Sequence, residues 1–130
     1  MKVLVIKETA FSPSVVLDSK QNKFEIKGSS RPENAVEFYT PVLNWLNELA
    51  VQIPNLTVNH PLNFHFSFDY LNSISIKILF DSFRTLEKIN SQTKSINVVW
   101  HYKSGDTDMK ETGEEYSKIL NLPFAISPIH

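Results

Sequence analysis

From Leu62 to Tyr70 the chain alternates apolar and polar residues without a break, and after Leu71-Asn72-Ser73 the period changes to that of a helix. Phe64, Phe66 and Phe68 point one way; Asn63, His65, Ser67 and Asp69 point the other, as in a half-buried strand. Between Ile74 and Asn90 the residues Ile76, Leu79, Phe80, Phe83, Leu86 and Ile89 form one helical stripe. A strand that feeds directly into a long amphipathic helix is the first half of a βαβ unit, which restricts the chain to the α/β folds.

The flanking sequence repeats this grammar. Val3 to Ile6, Ser14 to Asp18 and Lys23 to Lys27 read as strands, with Asp18 to Asn22 as a hairpin turn. Gly28-Ser29-Ser30-Arg31-Pro32-Glu33-Asn34 is expected to break the third strand. A helix is expected from Ala35 to Ala50, with Tyr39, Val42, Leu43, Leu46 and Leu49 on its apolar side. Pro41 then requires either a regular helix starting near Thr40 or a kink. Ser95 to Tyr102 is a further strand, whose paired Val98-Val99 suggests burial on both faces. A third helix follows the Lys103 to Asp106 turn, from Thr107 to Asn121, carrying Met109, Tyr116, Ile119 and Leu120. Phe124 to Ile126 closes as a short edge strand after Pro123. The order β-β-β-α-β-α-β-α-β predicts one α/β domain over residues 1–130: a mixed central sheet covered by about three main helices.

Composition excludes several classes. Thirteen basic residues against fourteen acidic ones, scattered along the chain, give no electrostatic case for nucleic acid or an anionic membrane as partner. The absence of cysteine removes disulfides, thiolate nucleophiles and cysteine-bound metal. The N-terminus does not read as a signal peptide and no apolar run reaches membrane-spanning length, so a cytoplasmic location is expected.

Motifs for chemistry are sparse. Neither GxxxxGK[ST] nor GxGxxG occurs, so no common phosphate-cradling loop is present. His60, His65, His101 and His130 are dispersed and read as surface histidines, leaving no metal or cofactor assigned. The acids Asp106, Asp108, Glu111, Glu114 and Glu115 suit a helix start, with Asp106 or Thr107 as cap.

Ser73 stands out by position. It lies where the best strand ends and a helix begins, with Asn72 or Ser73 itself as the cap. A phosphate there would meet free backbone N–H groups and the positive helix end, and would add about −1.5 to −2 charges to a surface loop. Lys77, one turn on, would help hold it, and Ser75 is the competing acceptor. Arg31-Pro32-Glu33-Asn34 reads either as a partner-binding loop or as a plain connection, with Asn34 as cap and Arg31 paired to an acid.

Five segments in register carry a family resemblance: Ile26-Lys27-Gly28-Ser29-Ser30-Arg31-Pro32-Glu33-Asn34; Phe38-Tyr39 through Pro41-Val42 to Trp45-Leu46; Tyr70-Leu71-Asn72-Ser73-Ile74-Ser75-Ile76-Lys77; Val99-Trp100-His101-Tyr102; and Asp108-Met109 through Gly113-Glu114-Glu115-Tyr116 to Pro123-Phe124. Together they resemble the SiaC family of bacterial regulatory phosphoproteins. The resemblance implies a STAS-like (anti-sigma-factor-antagonist-like) fold and a non-enzymatic partner switch. In such a module a kinase phosphorylates one Ser or Thr, a phosphatase reverses it, and the unmodified form engages a target. In the best-known branch the target is a diguanylate cyclase, which ties the module to cyclic-di-GMP and biofilm formation. The family's modified Thr, in an Asn-Thr-Ser-Ser context, carries over to Ser73, followed here by Ile74 where the family often has Ser. Two other readings stay open: a small enzyme or ligand-binding domain with a pocket near Asn72, Ser73, Lys77 and His101, and a constitutive assembly subunit.

Overall fold

The computed structural model describes residues 1–56 and 60–130. The chain runs β1 (Leu4–Ile6), β2 (Ser14–Asp18), β3 (Lys23–Ser30), α1 (Ala35–Gln52), a single 3-10 turn (Ile53–Asn55), β4 (Leu62–Leu71), α2 (Ser73–Thr93), β5 (Ile96–Lys103), α3 (Thr107–Ile119) and β6 (Phe124–Ile129). The order of strands and main helices is the expected one. The six strands lie in one sheet in sequence order, antiparallel from β1 to β3 and parallel from β3 to β6.

Each parallel step moves one strand in the same direction, so right-handed crossovers put all three helices on one face of the sheet. Burial agrees. Val15, Leu17, Phe24, Ile26, Phe64, Phe66, Phe68, Val98 and Trp100 are buried beneath the helices. The alternate residues, including Glu25, Lys27, Asn63, His65, Ser67, Asp69, Asn97 and His101, line an open polar face. Val99 is accordingly only half-buried: β5 has one covered face, where its paired valines had suggested two.

Two boundaries and the effect of Pro41 depart from expectation for local reasons. β3 continues through Gly28 to Ser30 instead of stopping at Lys27. The register slips between Gly28 and Ser29, and Gly28 absorbs the irregularity at φ +123°. A Cβ there would also fall on the Glu8 carboxylate. α1 begins at Ala35, with Asn34 Oδ1 accepting the Glu37 N–H at 3.0 Å, so Pro41 lies in the second turn of a continuous helix. Pro41 and Glu37 are both exposed, and the Glu37 carbonyl left without a helical donor faces water. α3 ends at Ile119, whose side chain is exposed and not on the apolar face.

The buried face of α2 is also rotated from the expected stripe. Ser75, Ile78 and Ser82 are buried, while Ile76 and Phe80 are half-buried toward α3. Ser82 shares its surroundings with Val42 and Leu46 of α1. Small side chains there let the two helices approach closely.

The core at the β5 end is aromatic. The Trp100 ring centroid lies 5.7 Å from Phe68, 6.3 Å from Phe83, 5.4 Å from Tyr116 and 6.2 Å from Phe124. Its Nε1–H donates to the Met109 carbonyl at 3.0 Å, fixing α3 to the sheet. Gly113 makes that approach possible, because a Cβ at this position would overlap the Trp100 indole. Gly113→Ala is expected to destabilise the protein by about 1–2 kcal/mol: overpacking outweighs the roughly 1 kcal/mol gain in helix propensity. Urea denaturation checks this, and a raised midpoint would contradict the packing account.

Candidate functional site

α2 starts at Ser73, and its start is built by Asn72. The extended backbone of Asn72 lets its Oδ1 accept the Ser75 N–H at 2.9 Å, while its carbonyl accepts the Ile76 N–H at 3.1 Å. The N–H groups of Ser73 and Ile74 are left without an acceptor inside the helix, at the positive end of a 21-residue dipole. Ser73 is exposed, and no acid occupies the first turn. Lys77, also exposed, lies one turn along the same side.

A buried hydroxyl network sits below this helix start. The Ser30 carbonyl accepts the Asn72 N–H at 3.0 Å and the Ser75 hydroxyl at 3.3 Å. Ser30 Oγ donates to Ser75 Oγ at 2.8 Å, so the Tyr39 hydroxyl, 2.5 Å away, is the donor to Ser30. Ser30, Tyr39 and Ser75 are fully buried. The network ties the end of β3 to α1 and to the first turn of α2. Ser75, the alternative acceptor, is therefore sealed in the core with its hydroxyl engaged. Ser30 and Tyr39 were missed because sequence periodicity marks a buried stripe but carries no information about which hydroxyls meet across three elements.

Burial pushes the Tyr39 phenol up to about 12, with the neighbouring Ser30 and Ser75 hydroxyls acting in the opposite direction. A raised folded-state value means that stability is complete below the unfolded value near 10 and is lost as pH rises toward 12. Tyr39→Phe is expected to flatten the stability-versus-pH curve in that window by up to about 1.4 kcal/mol per pH unit. Urea midpoints at pH 9, 10 and 11 (about one unit either side of the tyrosine value) check this. Parallel curves for the two proteins would contradict it.

The loop before α1 meets the same corner. Arg31 is not paired to an acid: its guanidinium lies over the Phe11 ring at 5.2 Å and the Tyr70 ring at 5.8 Å. Among the described residues the ion pairs are Lys27–Glu25, Arg84–Glu87 and Lys103–Asp69. Glu33 and Asn34 border a shallow depression with Val36, Phe38 and Ile74. Val36 is 64% exposed and Ile74 is 56% exposed, so an apolar patch adjoins Ser73 directly.

The pocket that the alternative reading as a small enzyme or ligand-binding domain places near Asn72, Ser73, Lys77 and His101 is not assembled. Trp100 faces the helices, so its neighbour His101 points to the open face of the sheet, away from α2. There His101 Nε2 lies 3.0 Å from His65 Nδ1. Burial first, and His65 second, hold His101 below the usual histidine range. Lys77 instead borders a groove of about 370 Å³ between α2 and α3, with Ile76, Phe80, Tyr116 and Ile119 among its walls. Of the acidic cluster, Asp106 caps α3 by accepting the Met109 N–H at 3.1 Å. Among the described residues no helix is long and apolar enough to cross a membrane.

Comparison with known proteins places this geometry in context. The model of the SiaC family of regulatory phosphoproteins matches residues 6–129. An uncharacterized protein of Pseudomonas aeruginosa (strain UCBPP-PA14) is 28% identical over 126 residues, spanning 97% of this chain and 96% of that one. The crystal structure of apo-SiaC from Pseudomonas aeruginosa superposes with a TM-score of 0.83 at 28% identity, covering 98% of this chain and 99% of that one. SiaC in a crystal structure of diguanylate cyclase SiaD in complex with its activator SiaC, also from Pseudomonas aeruginosa, superposes with a TM-score of 0.85 at 27% identity, covering 97% and 99%. With a regulatory-phosphoprotein model matched across nearly its whole length and the same fold throughout, this chain belongs to the SiaC family of regulatory phosphoproteins.

Proposed function

We propose that this chain, in its unmodified form, binds and activates a diguanylate cyclase, and that phosphorylation of Ser73 releases the partner. The observation that carries the reading is the position of Ser73. It is the exposed first residue of α2, beside the apolar patch of Val36, Phe38 and Ile74, while Ser75 is sealed beneath it. A phosphate on Ser73 places about −1.5 to −2 charges at the rim of that patch. The two free N–H groups at the helix start receive its oxygens, with Lys77 one turn away. Arg31, Glu33 and Asn34 belong to the same contact surface. The related SiaC described as the activator of SiaD supports a cyclase as the target.

In this reading the protein acts by binding and not by catalysis. A serine kinase and a serine phosphatase set the modified fraction, in the cytoplasm, and the output is cyclic-di-GMP and biofilm control. Phosphosite mapping of the chain co-expressed with its cognate kinase tests the acceptor. Phosphate is expected on Ser73 and not on Ser75. Stoichiometric phosphate elsewhere, with Ser73 unmodified, would sink the assignment.

A further inference from the structure

His65 and His101 are 36 residues apart in sequence, and parallel pairing of β4 with β5 brings them together. His65 stands opposite Val99 and His101 opposite Ser67, so the two imidazoles are diagonal neighbours on the open face. Nδ1 of His65 and Nε2 of His101 are 3.0 Å apart, the ring centroids 5.3 Å apart and the ring planes within 16°. Those values describe two rings edge to edge in nearly one plane, sharing one proton between facing nitrogens. His65 is exposed and His101 half-exposed, in a depression bordered by Glu25, Lys27, Ser67 and Ile129.

We infer that His65 and His101 form a two-histidine site for a late first-row divalent metal ion, Cu²⁺ or Ni²⁺ ahead of Zn²⁺. Imidazole is the ligand type these ions select, whereas Mg²⁺ and Ca²⁺ require oxygen. Metal–nitrogen bonds of about 2.0–2.1 Å set two nitrogens about 2.9 Å apart at a right angle and about 3.3 Å apart at a tetrahedral one. The observed 3.0 Å is the spacing of the imidazole–imidazole hydrogen bond and shows only that both nitrogens can reach one ion; two imidazoles with water in the other positions suit tetragonal Cu²⁺ and Ni²⁺, whereas zinc sites take three or four protein ligands. Binding needs both rings, which are at least partly exposed, to turn by roughly 45°, so that lone pairs now aimed at each other aim at a common point above the sheet. The ring that donates the shared proton moves it to its other nitrogen, so both imidazoles stay neutral. Among the described residues no third His, Asp or Glu joins the pair, so water fills the remaining positions. The Glu25 carboxylate, opposite His65 on β3, is paired with Lys27 at 3.7 Å, so this ion pair leaves the depression without net charge.

The site spans β4 and β5 on the face opposite the helices, so metal binding and the Ser73 surface are separate. Isothermal titration of the untagged full chain with NiCl₂, and Cu²⁺ electron paramagnetic resonance, test it. One saturable equivalent of Ni²⁺ is expected, with a nitrogen-ligated Cu²⁺ spectrum. His65→Gln and His101→Gln should each weaken Ni²⁺ binding by about tenfold or more, and His60→Gln and His130→Gln should leave it unchanged. Circular dichroism of the variants verifies their fold. Absence of a saturable equivalent in the wild type, or undiminished affinity in a folded His101→Gln, overturns the proposal.

Discussion

Ser73→Asp is expected to weaken cyclase binding by about a hundredfold or more, an effect of about 3 kcal/mol, while raising the stability of the chain itself. The two effects separate because they have different origins. At the first position of α2 a carboxylate faces the positive helix end and free N–H groups, which stabilises the isolated protein by about 0.3–1 kcal/mol. In the proposed complex the same charge would lie at the edge of the Val36, Phe38 and Ile74 patch, where docking strips its water and the two N–H groups and Lys77 offset only part of that loss. Ser73→Ala removes only a hydroxyl that Asn72 makes dispensable for capping, and is expected to bind like the wild type. Thermal unfolding and a binding titration of the three proteins check the pattern. If Ser73→Asp bound normally, or lost binding together with its fold, this account of the switch would fail.

Trp100→Ala carries the largest expected effect on stability. The side chain is fully buried, meets rings from β4, α2, α3 and β6, and holds α3 through Met109. Truncation of a buried tryptophan costs about 3–5 kcal/mol, against a total of about 5–15 for a domain. The Met109 carbonyl keeps its partner in the α3 ladder, so loss of the indole N–H adds at most about 1 kcal/mol. A fall in Tm of about 10–20 °C is expected for a chain of this size. Trp100→Phe should lose much less. A Tm within about 2 °C of wild type for Trp100→Ala would mean that the aromatic cluster does not hold α3 to the sheet.

How much of this was legible beforehand follows from the range of each interaction. The β4 alternation and the α2 and α3 stripes are local, and they predicted strands and helices in the right order. Asn72 and Asp106 as caps are local too, and both are found. The continuation of β3 past Gly28 was not legible, because a bulge depends on the partner strand. The open face was misread at Val98-Val99, since β-branched residues pack as well on a half-exposed face as on a buried one. Of the two readings of Arg31, a partner-binding loop or a plain connection with Arg31 paired to an acid, the acid pairing is not found: its guanidinium lies over Phe11 and Tyr70, residues remote in sequence. The separation of His101 from Ser73 and its meeting with His65 both follow from sheet register, which the spacing of residues along the chain does not encode. The proposed acceptor Ser73 rests on its position at the start of α2 and on the five-segment resemblance to the SiaC family, and draws on none of these long-range facts.

In the proposed switch, Ser73 phosphorylation uncouples this chain from a diguanylate cyclase. The most direct test is cyclic-di-GMP production by the cognate cyclase, titrated with the fully phosphorylated chain and with the same preparation after phosphatase treatment. The dephosphorylated chain is expected to raise the rate saturably, and the phosphorylated chain to leave it at its basal level over the same concentrations. Superimposable activation curves for the two forms would contradict the claim.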